Sequence, residues 1–167
     1  MRTFVVTFIG LLLMYLLTGC GTSEGLGGVQ DGYYTATLGT ATPRDIAGTA
    51  PDVLRRRYNM EIFRVEYEPP TPDVYVQTGW KRSLPAEDDS SRVVAARQRY
   101  IVEGRPRIRA PISGAQINVV SFTAEKQAQF ENSSDWVSAP FSPSEMRAVE
   151  EIEDYLKGEL AVGVRSF

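Results

Sequence analysis

The feature that most limits what this chain can fold into is an uncharged apolar run from Phe4 to Leu17, preceded by one charge, Arg2, and followed by Thr18, Gly19 and Cys20. At about 14 residues the run is short of the roughly 20 that cross a bilayer. Its length and its single flanking charge fit the apolar region of a secretory signal peptide. Residues 1–19 are therefore expected to be a signal peptide that takes no part in the fold. Cys20 is the chain's one cysteine. The remainder of the chain must be held together by packing, because no internal disulfide can form even in an oxidising compartment.

The segment Leu17-Thr18-Gly19-Cys20 resembles a lipobox, with a leucine three residues before the cysteine and small residues beside it. The likeness to bacterial lipoproteins covers residues 1–20. It implies that the Cys20 sulfur takes a diacylglyceryl group, that cleavage follows, and that the new amine is acylated. Each buried CH₂ of such chains contributes about 0.8 kcal/mol of membrane affinity, so several chains make a stable anchor. Residue 21 is Gly rather than Asp, which in sorting of the enterobacterial kind implies export to the outer membrane, on its periplasmic or surface side. Residues 20–31, with four glycines in GTSEGLGGVQD, read as the lipidated cysteine and a flexible tether. Residues 32–167 read as a single globular domain.

Within that domain the periodicities predict two helices around four strands. Thr42-Pro43-Arg44-Asp45 places a capping hydroxyl, a proline in the first turn and an acid beside it, ahead of Ile46, Ala50, Val53 and Leu54. Pro51 conflicts with one continuous helix, so a shorter helix over residues 50–58 is the alternative, with Asn59 as its left-handed stop. Phe63, Val65 and Tyr67 alternate with Arg64, Glu66 and Glu68; Val74, Val76, Thr78 and Trp80 form the next inward face; Val94 to Val102 and Ile117 to Thr123 supply two more strands. A short strand over 32–37 is a weaker signal. Ser142-Pro143-Ser144-Glu145 is a capping box, followed by the apolar stripe Met146, Val149, Ile152, Leu156 and Leu160. Short links between consecutive strands favour antiparallel pairing. The expectation is a two-layer α+β sandwich: a four-stranded, mainly antiparallel sheet covered by two helices, in the order α-β-β-β-β-α.

The chemistry is bounded by absences. The chain has no histidine, so Ser-His-Asp and Cys-His triads and His-containing zinc sites are excluded. No cofactor or metal is implied. Eighteen basic residues, one of them Arg2, stand against 21 acidic ones, and a net-acidic envelope protein argues against a nucleic-acid partner. Against that background Arg92, Arg97, Arg99, Arg105, Arg107 and Arg109 fall within 18 residues. Arginine forks grip phosphate or carboxylate, so Arg97, Arg99, Arg105, Arg107 and Arg109 are the candidate contacts for an anion or partner. The competing expectation is a solvated sheet face paired with Glu66 and Glu68. Glu87, Asp88 and Asp89 lack the spacing of a calcium loop and read as a polar turn. Arg55-Arg56-Arg57 reads as a complement to a helix C-terminus. Trp80 reads as core, whereas Trp136 is as open to a partner role as to a core one.

Two functional classes remain. One is a membrane-anchored, non-catalytic binding or accessory component of an envelope assembly or transport complex, meeting anionic lipid or an envelope protein. In outline the expected fold is similar to small accessory lipoproteins of outer-membrane assembly machines, such as the barrel-plugging partner in lipopolysaccharide export. That likeness is architectural and transfers no site residues. The other is a small carboxylate-dependent enzyme acting on an envelope polymer, which would need a deep pocket with two acids roughly 5 to 10 Å apart.

Overall fold

The computed structural model describes residues 28–69, 72–84, 92–107 and 116–164. Cys20, Arg109 and the acidic turn Glu87-Asp88-Asp89 lie outside them. The alternation that builds the sheet is plainest in β7 (Asn118–Phe130), where Asn118, Val120, Phe122, Ala124, Lys126 and Ala128 are buried and the residues between them are not. Its neighbours are β2 (Tyr33–Ala41) and the long β6 (Val93–Pro106). Beyond β6 come β4 (Val74–Thr78) and the edge strand β3 (Ile62–Glu66), while β1 (Gly28–Gln30) closes the far edge beside β2. Two short pieces complete the sheet: β5 (Lys81–Ser83) pairs with β6, and β8 (Val137–Ser138) pairs with β7. All the pairings are antiparallel.

The expected α+β class, antiparallel pairing and two helices are present. The four-stranded sheet and the order α-β-β-β-β-α are not: eight strands join the sheet among the described residues, and two of them precede the first helix. The weak signal at 32–37 is in fact a nine-residue strand lying between β1 and β7. A bulge between Thr37 and Gly39 shifts its alternation, so that Leu38 and Ala41 are both buried. That phase change hides the strand from a period-2 reading. Residues 28–31, expected at the end of the tether, form β1 and a turn, and the Ser138 hydroxyl donates to the Asp31 carbonyl at 2.7 Å.

Helix α1 (Pro43–Arg56) and helix α2 (Pro143–Val164) lie together on one face of the sheet. Thr42 caps α1 as its sequence predicts: its hydroxyl accepts from the Asp45 backbone N–H at 3.2 Å and donates to the Asp45 carboxylate at 2.7 Å. The helix runs through Pro51 instead of restarting there. Pro51 is buried with Ala50 and Leu54 against the core, and that packing outweighs the lost backbone bond. Asn59 adopts the expected left-handed conformation, φ 51°. The α2 capping box closes in both directions, with Ser142 N–H donating to Glu145 at 2.8 Å and Glu145 N–H to the Ser142 hydroxyl at 3.3 Å. The helix continues past Gly158, with Leu160, the last residue of the predicted stripe, in the core.

Between the layers, Ile46, Leu54, Val76, Val102, Val120, Phe122, Val149 and Leu156 are almost wholly buried. Tyr100 stacks on Phe122 with ring centres 5.9 Å apart, and Tyr34 meets the same ring edge-on at 6.5 Å. Helix α1 comes down closely onto β6 at Gly104, where a Cβ would stand 2.6 Å from the Ile46 side chain. Phe63 was expected to face inward with Val65 and Tyr67. A bulge between Ile62 and Arg64 breaks the alternation at this sheet edge, and Phe63 and Val65 are both exposed, at 73% and 45%.

Candidate functional site

With both helices on one side, the other side of the sheet has no second layer among the described residues, and its side chains are those that alternate with the core. On β6 these include Arg97, Arg99, Glu103 and Arg105, with buried Ile101 between Arg99 and Glu103. The cross-strand register sets Arg97 opposite Gln127 and Arg99 opposite Glu125 on β7, and Arg82 of β5 opposite Arg97. Arg97 gives two bonds to the Gln127 side-chain oxygen, at 2.9 and 2.5 Å, and Arg99 pairs with Glu125 at 2.5 Å.

Two tryptophans thread between these arginines. Trp80 sits in the link from β4 to β5, and Trp136 just before β8. The Arg97 guanidinium lies 4.7 Å from the Trp80 ring centre and 4.3 Å from that of Trp136; Arg99 lies 4.6 Å from Trp80, and Arg82 lies 5.6 Å from Trp136. The result is a ladder, Arg82–Trp136–Arg97–Trp80–Arg99, ending at Glu125. A guanidinium over an aromatic ring loses water from the side that meets the ring and keeps N–H groups at its edge to bond outward. Burial first, then the neighbouring charges of Arg82 and Arg99, lowers the Arg97 pKa from its ordinary value.

The sequence-predicted arginines divide. Arg97 and Arg99 join the ladder. Arg105 shares their strand face but lies eight residues beyond Arg97 along β6, about 26 Å away at strand spacing, and pairs with Glu103 at 3.1 Å. Arg107 is exposed just beyond the strand, with its backbone N–H donating to the Ile117 carbonyl at 3.1 Å. Arg109 is outside the described residues. The four described arginines do not form one compact patch. Glu66 is not their partner either, since β4 lies between β3 and β6 and Glu66 pairs with Arg64 on its own strand. Of the basic triplet, Arg56 pairs with Asp52 at 2.7 Å and Arg57 lies 4.0 Å from the Tyr155 ring centre.

The helix side holds a different arrangement, one that sequence reasoning missed. Lys126 is 1% exposed and its ammonium lies 2.6 Å from the Glu145 carboxylate, itself 10% exposed. The same carboxylate accepts from Ser142 N–H and from the Gln98 amide at 3.0 Å. The Gln98 oxygen in turn accepts from the Tyr100 hydroxyl at 2.7 Å, and burial followed by the nearby Glu145 charge pushes the Tyr100 pKa up. This network floors a groove of about 620 Å³ whose walls include Arg57, Met60, Lys81, Leu84 and Ile152. Glu145 is thus both the helix cap and the counter-ion of a buried lysine. A second unforeseen contact is the Tyr34 hydroxyl donating to buried Glu153 from the opposite end of the chain; burial, then that bond, raises the Tyr34 pKa.

One further member of the ladder had a signal in the sequence. Arg82 comes two residues after Trp80, the spacing that puts both on one face of an extended segment. No protein-family model matches the sequence, and no curated relative is found for it. Among the described residues no helix is long and apolar enough to cross a membrane.

Proposed function

We propose that this chain is a cell-envelope lipoprotein, anchored through Cys20 in the outer membrane, and that its domain is a non-catalytic binding or accessory component of an envelope assembly or transport complex. The observation that supports a binding role is the arginine–tryptophan ladder on the uncovered face of the sheet. Five segments of the fold contribute to it: Trp80 from a link, Arg82 from β5, Arg97 and Arg99 from β6, Gln127 and Glu125 from β7, and Trp136 from the turn before β8. Interleaved, hydrogen-bonded guanidiniums with a single carboxylate among them suit an acidic partner better than bulk solvent. The two well-enclosed carboxylates are both committed, Glu145 to Lys126 and to the start of α2 and Glu153 to the Tyr34 hydroxyl, so they frame the fold and are not free for acid–base work. The outline shared with barrel-plugging accessory lipoproteins rested on four strands in another order and no longer carries the assignment.

Two measurements test the proposal. Cys20→Ala should abolish lipid modification and leave uncleaved or unlipidated protein; a mature-size, lipid-modified species from that variant would refute the anchor. Detergent-solubilised protein should bind immobilised polyaspartate at low salt and release as salt rises, because exposed charges are screened within about 8 Å at physiological ionic strength. Retention that ignores salt would remove the acidic-partner reading.

A further inference from the structure

We infer that the ladder is a binding site for a dianionic phosphoryl group, a phosphomonoester or diphosphate, gripped chiefly by Arg82 and Arg97. The inference rests on the acidic-partner reading and narrows it. The first ground is charge. Three guanidiniums, Arg82, Arg97 and Arg99, face one carboxylate, Glu125, which is already paired with Arg99 at 2.5 Å. Two positive charges are left over, on Arg82 and Arg97. A phosphomonoester carries about −1.5 to −2 at neutral pH, whereas a carboxylate or a phosphodiester carries only one negative charge.

The second ground is donor geometry. Arg82 and Arg97 are direct cross-strand partners, and both guanidiniums lie over the same Trp136 ring, at 5.6 and 4.3 Å from its centre. Arg97 directs its Nε and one Nη to Gln127, which fixes the plane of its fork and leaves its other N–H groups unspent. Two forks carried at adjacent cross-strand positions present more donors than the two oxygens of a carboxylate can use. The three terminal oxygens of a phosphoryl group can bridge them.

The third ground is pre-organisation. Arginines on open sheet faces sample many rotamers, and ordering one costs roughly 0.5–1.5 kcal/mol on binding. Here the rings of Trp80 and Trp136 both hold Arg97, so that cost is met by the fold. Both rings are already engaged by guanidiniums, and this argues against a neutral sugar stacking on them.

The group could be carried on a lipid headgroup or on a soluble molecule, and the test separates the two. Trp80 and Trp136 are the chain's only tryptophans, so tryptophan fluorescence, excited at the red edge where tyrosine does not absorb, reports this site. Detergent-solubilised full-length protein is titrated with pyrophosphate, inorganic phosphate, acetate and polyaspartate, and separately in mixed micelles containing phosphatidic acid, phosphatidylglycerol or phosphatidylcholine. Pyrophosphate should give a saturable change and outcompete acetate at equal ionic strength. Arg82→Gln and Arg97→Gln should each weaken it about tenfold or more, the value of a charge-assisted bond, and Arg105→Gln should leave it unchanged. A lipid-borne ligand is indicated if phosphatidic acid acts well below the concentration of free pyrophosphate needed; equal potency indicates a soluble one. Binding of polyaspartate without preference for phosphoryl groups overturns this inference and leaves the acidic-partner reading standing. No response to any anion overturns both, as does a phosphate response that Arg97→Gln does not alter.

Discussion

Replacing Lys126 with Met should be among the most damaging single changes in this domain. Lys126 is 1% exposed, and its partner Glu145 is 10% exposed. The substitution keeps the apolar stem's volume, and it leaves the Glu145 carboxylate enclosed with only the Ser142 N–H and the Gln98 amide to stabilise it. Removing one partner of a buried ion pair costs about 3–5 kcal/mol. With a urea dependence of about 2 kcal/mol per molar for a small domain, the unfolding midpoint should fall by about 1.5–2.5 M. Glu145→Gln should cost a similar amount, because it removes the lysine's counter-charge 2.6 Å away. The double variant Lys126→Met/Glu145→Gln buries no charge at either position and should be more stable than either single variant. Urea unfolding monitored by circular dichroism on all four proteins closes the cycle. If each single change costs under about 1 kcal/mol and the double is their sum, the pair is not coupled and the reasoning fails.

Other predictions rest on single contacts. Tyr34→Phe removes the donor to buried Glu153 and should cost about 1–3 kcal/mol in the same assay. Alkaline pH should destabilise the fold for a related reason. The folded pKa values of Tyr34 and Tyr100 are raised, so above the unfolded value of about 10 the unfolded chain releases protons first; their contribution is complete below about pH 10 and is lost as pH rises beyond it, which unfolding midpoints at about pH 9 and about pH 11 would show. Gly32→Ala should destabilise by more than about 1 kcal/mol, because φ is +77° there and the new Cβ would stand 2.8 Å from the Lys126 carbonyl and 2.9 Å from Ala139 N; a neutral result would mean that the β1–β2 turn is not held against β7 and β8. A chain starting at Gly28 should melt with the full-length protein, whereas one starting at Gly32 loses β1 and should melt earlier.

The parts of the fold legible in the sequence were those written in local chemistry. Thr42-Pro43 and Ser142-Pro143-Ser144-Glu145 announce helix starts because capping involves residues three apart. The alternation of Arg97, Arg99 and Glu103 with Ala96, Tyr100 and Val102 announces which face is wet. What escaped was non-local or phase-shifted. Strand β2 carries a bulge at Thr37/Gly39; β7 runs to Phe130, beyond the predicted end at Thr123, through a stretch that contains lysine and glutamine, and nothing near Lys126 in the chain names Glu145, 19 residues away, as its counter-ion. Trp80 looked like core because Val74, Val76 and Thr78 point inward, but β4 ends at Thr78 and Gly79 intervenes, so the alternation does not extend to it. The ladder was half visible, as Arg97 and Arg99, and half supplied by three distant segments that only the register brings together.

That register ties the two sides of the sheet to each other. Three successive rungs between β6 and β7 read Arg97 with Gln127, Gln98 with Lys126, and Arg99 with Glu125. The outer two face the ladder. The middle one points to the helix side, where Gln98 and Lys126 both bond to Glu145 at the start of α2. A slip of one residue would turn Lys126 out to solvent and drive an arginine into the core, so register here is enforced by a charge as well as by apolar burial. A buried ion pair contributes little net stability compared with an apolar substitute of the same shape, but it penalises a mispaired strand heavily. Lys126 and Glu145 therefore act as a register lock. The double variant, although stable, should then show altered tryptophan fluorescence, because without the lock the spacing of Arg97 and Arg99 around Trp80 rests on side-chain packing alone. Fluorescence identical to that of the parent protein would show instead that the ladder sets its own register, and that the lysine serves only the groove beneath α2.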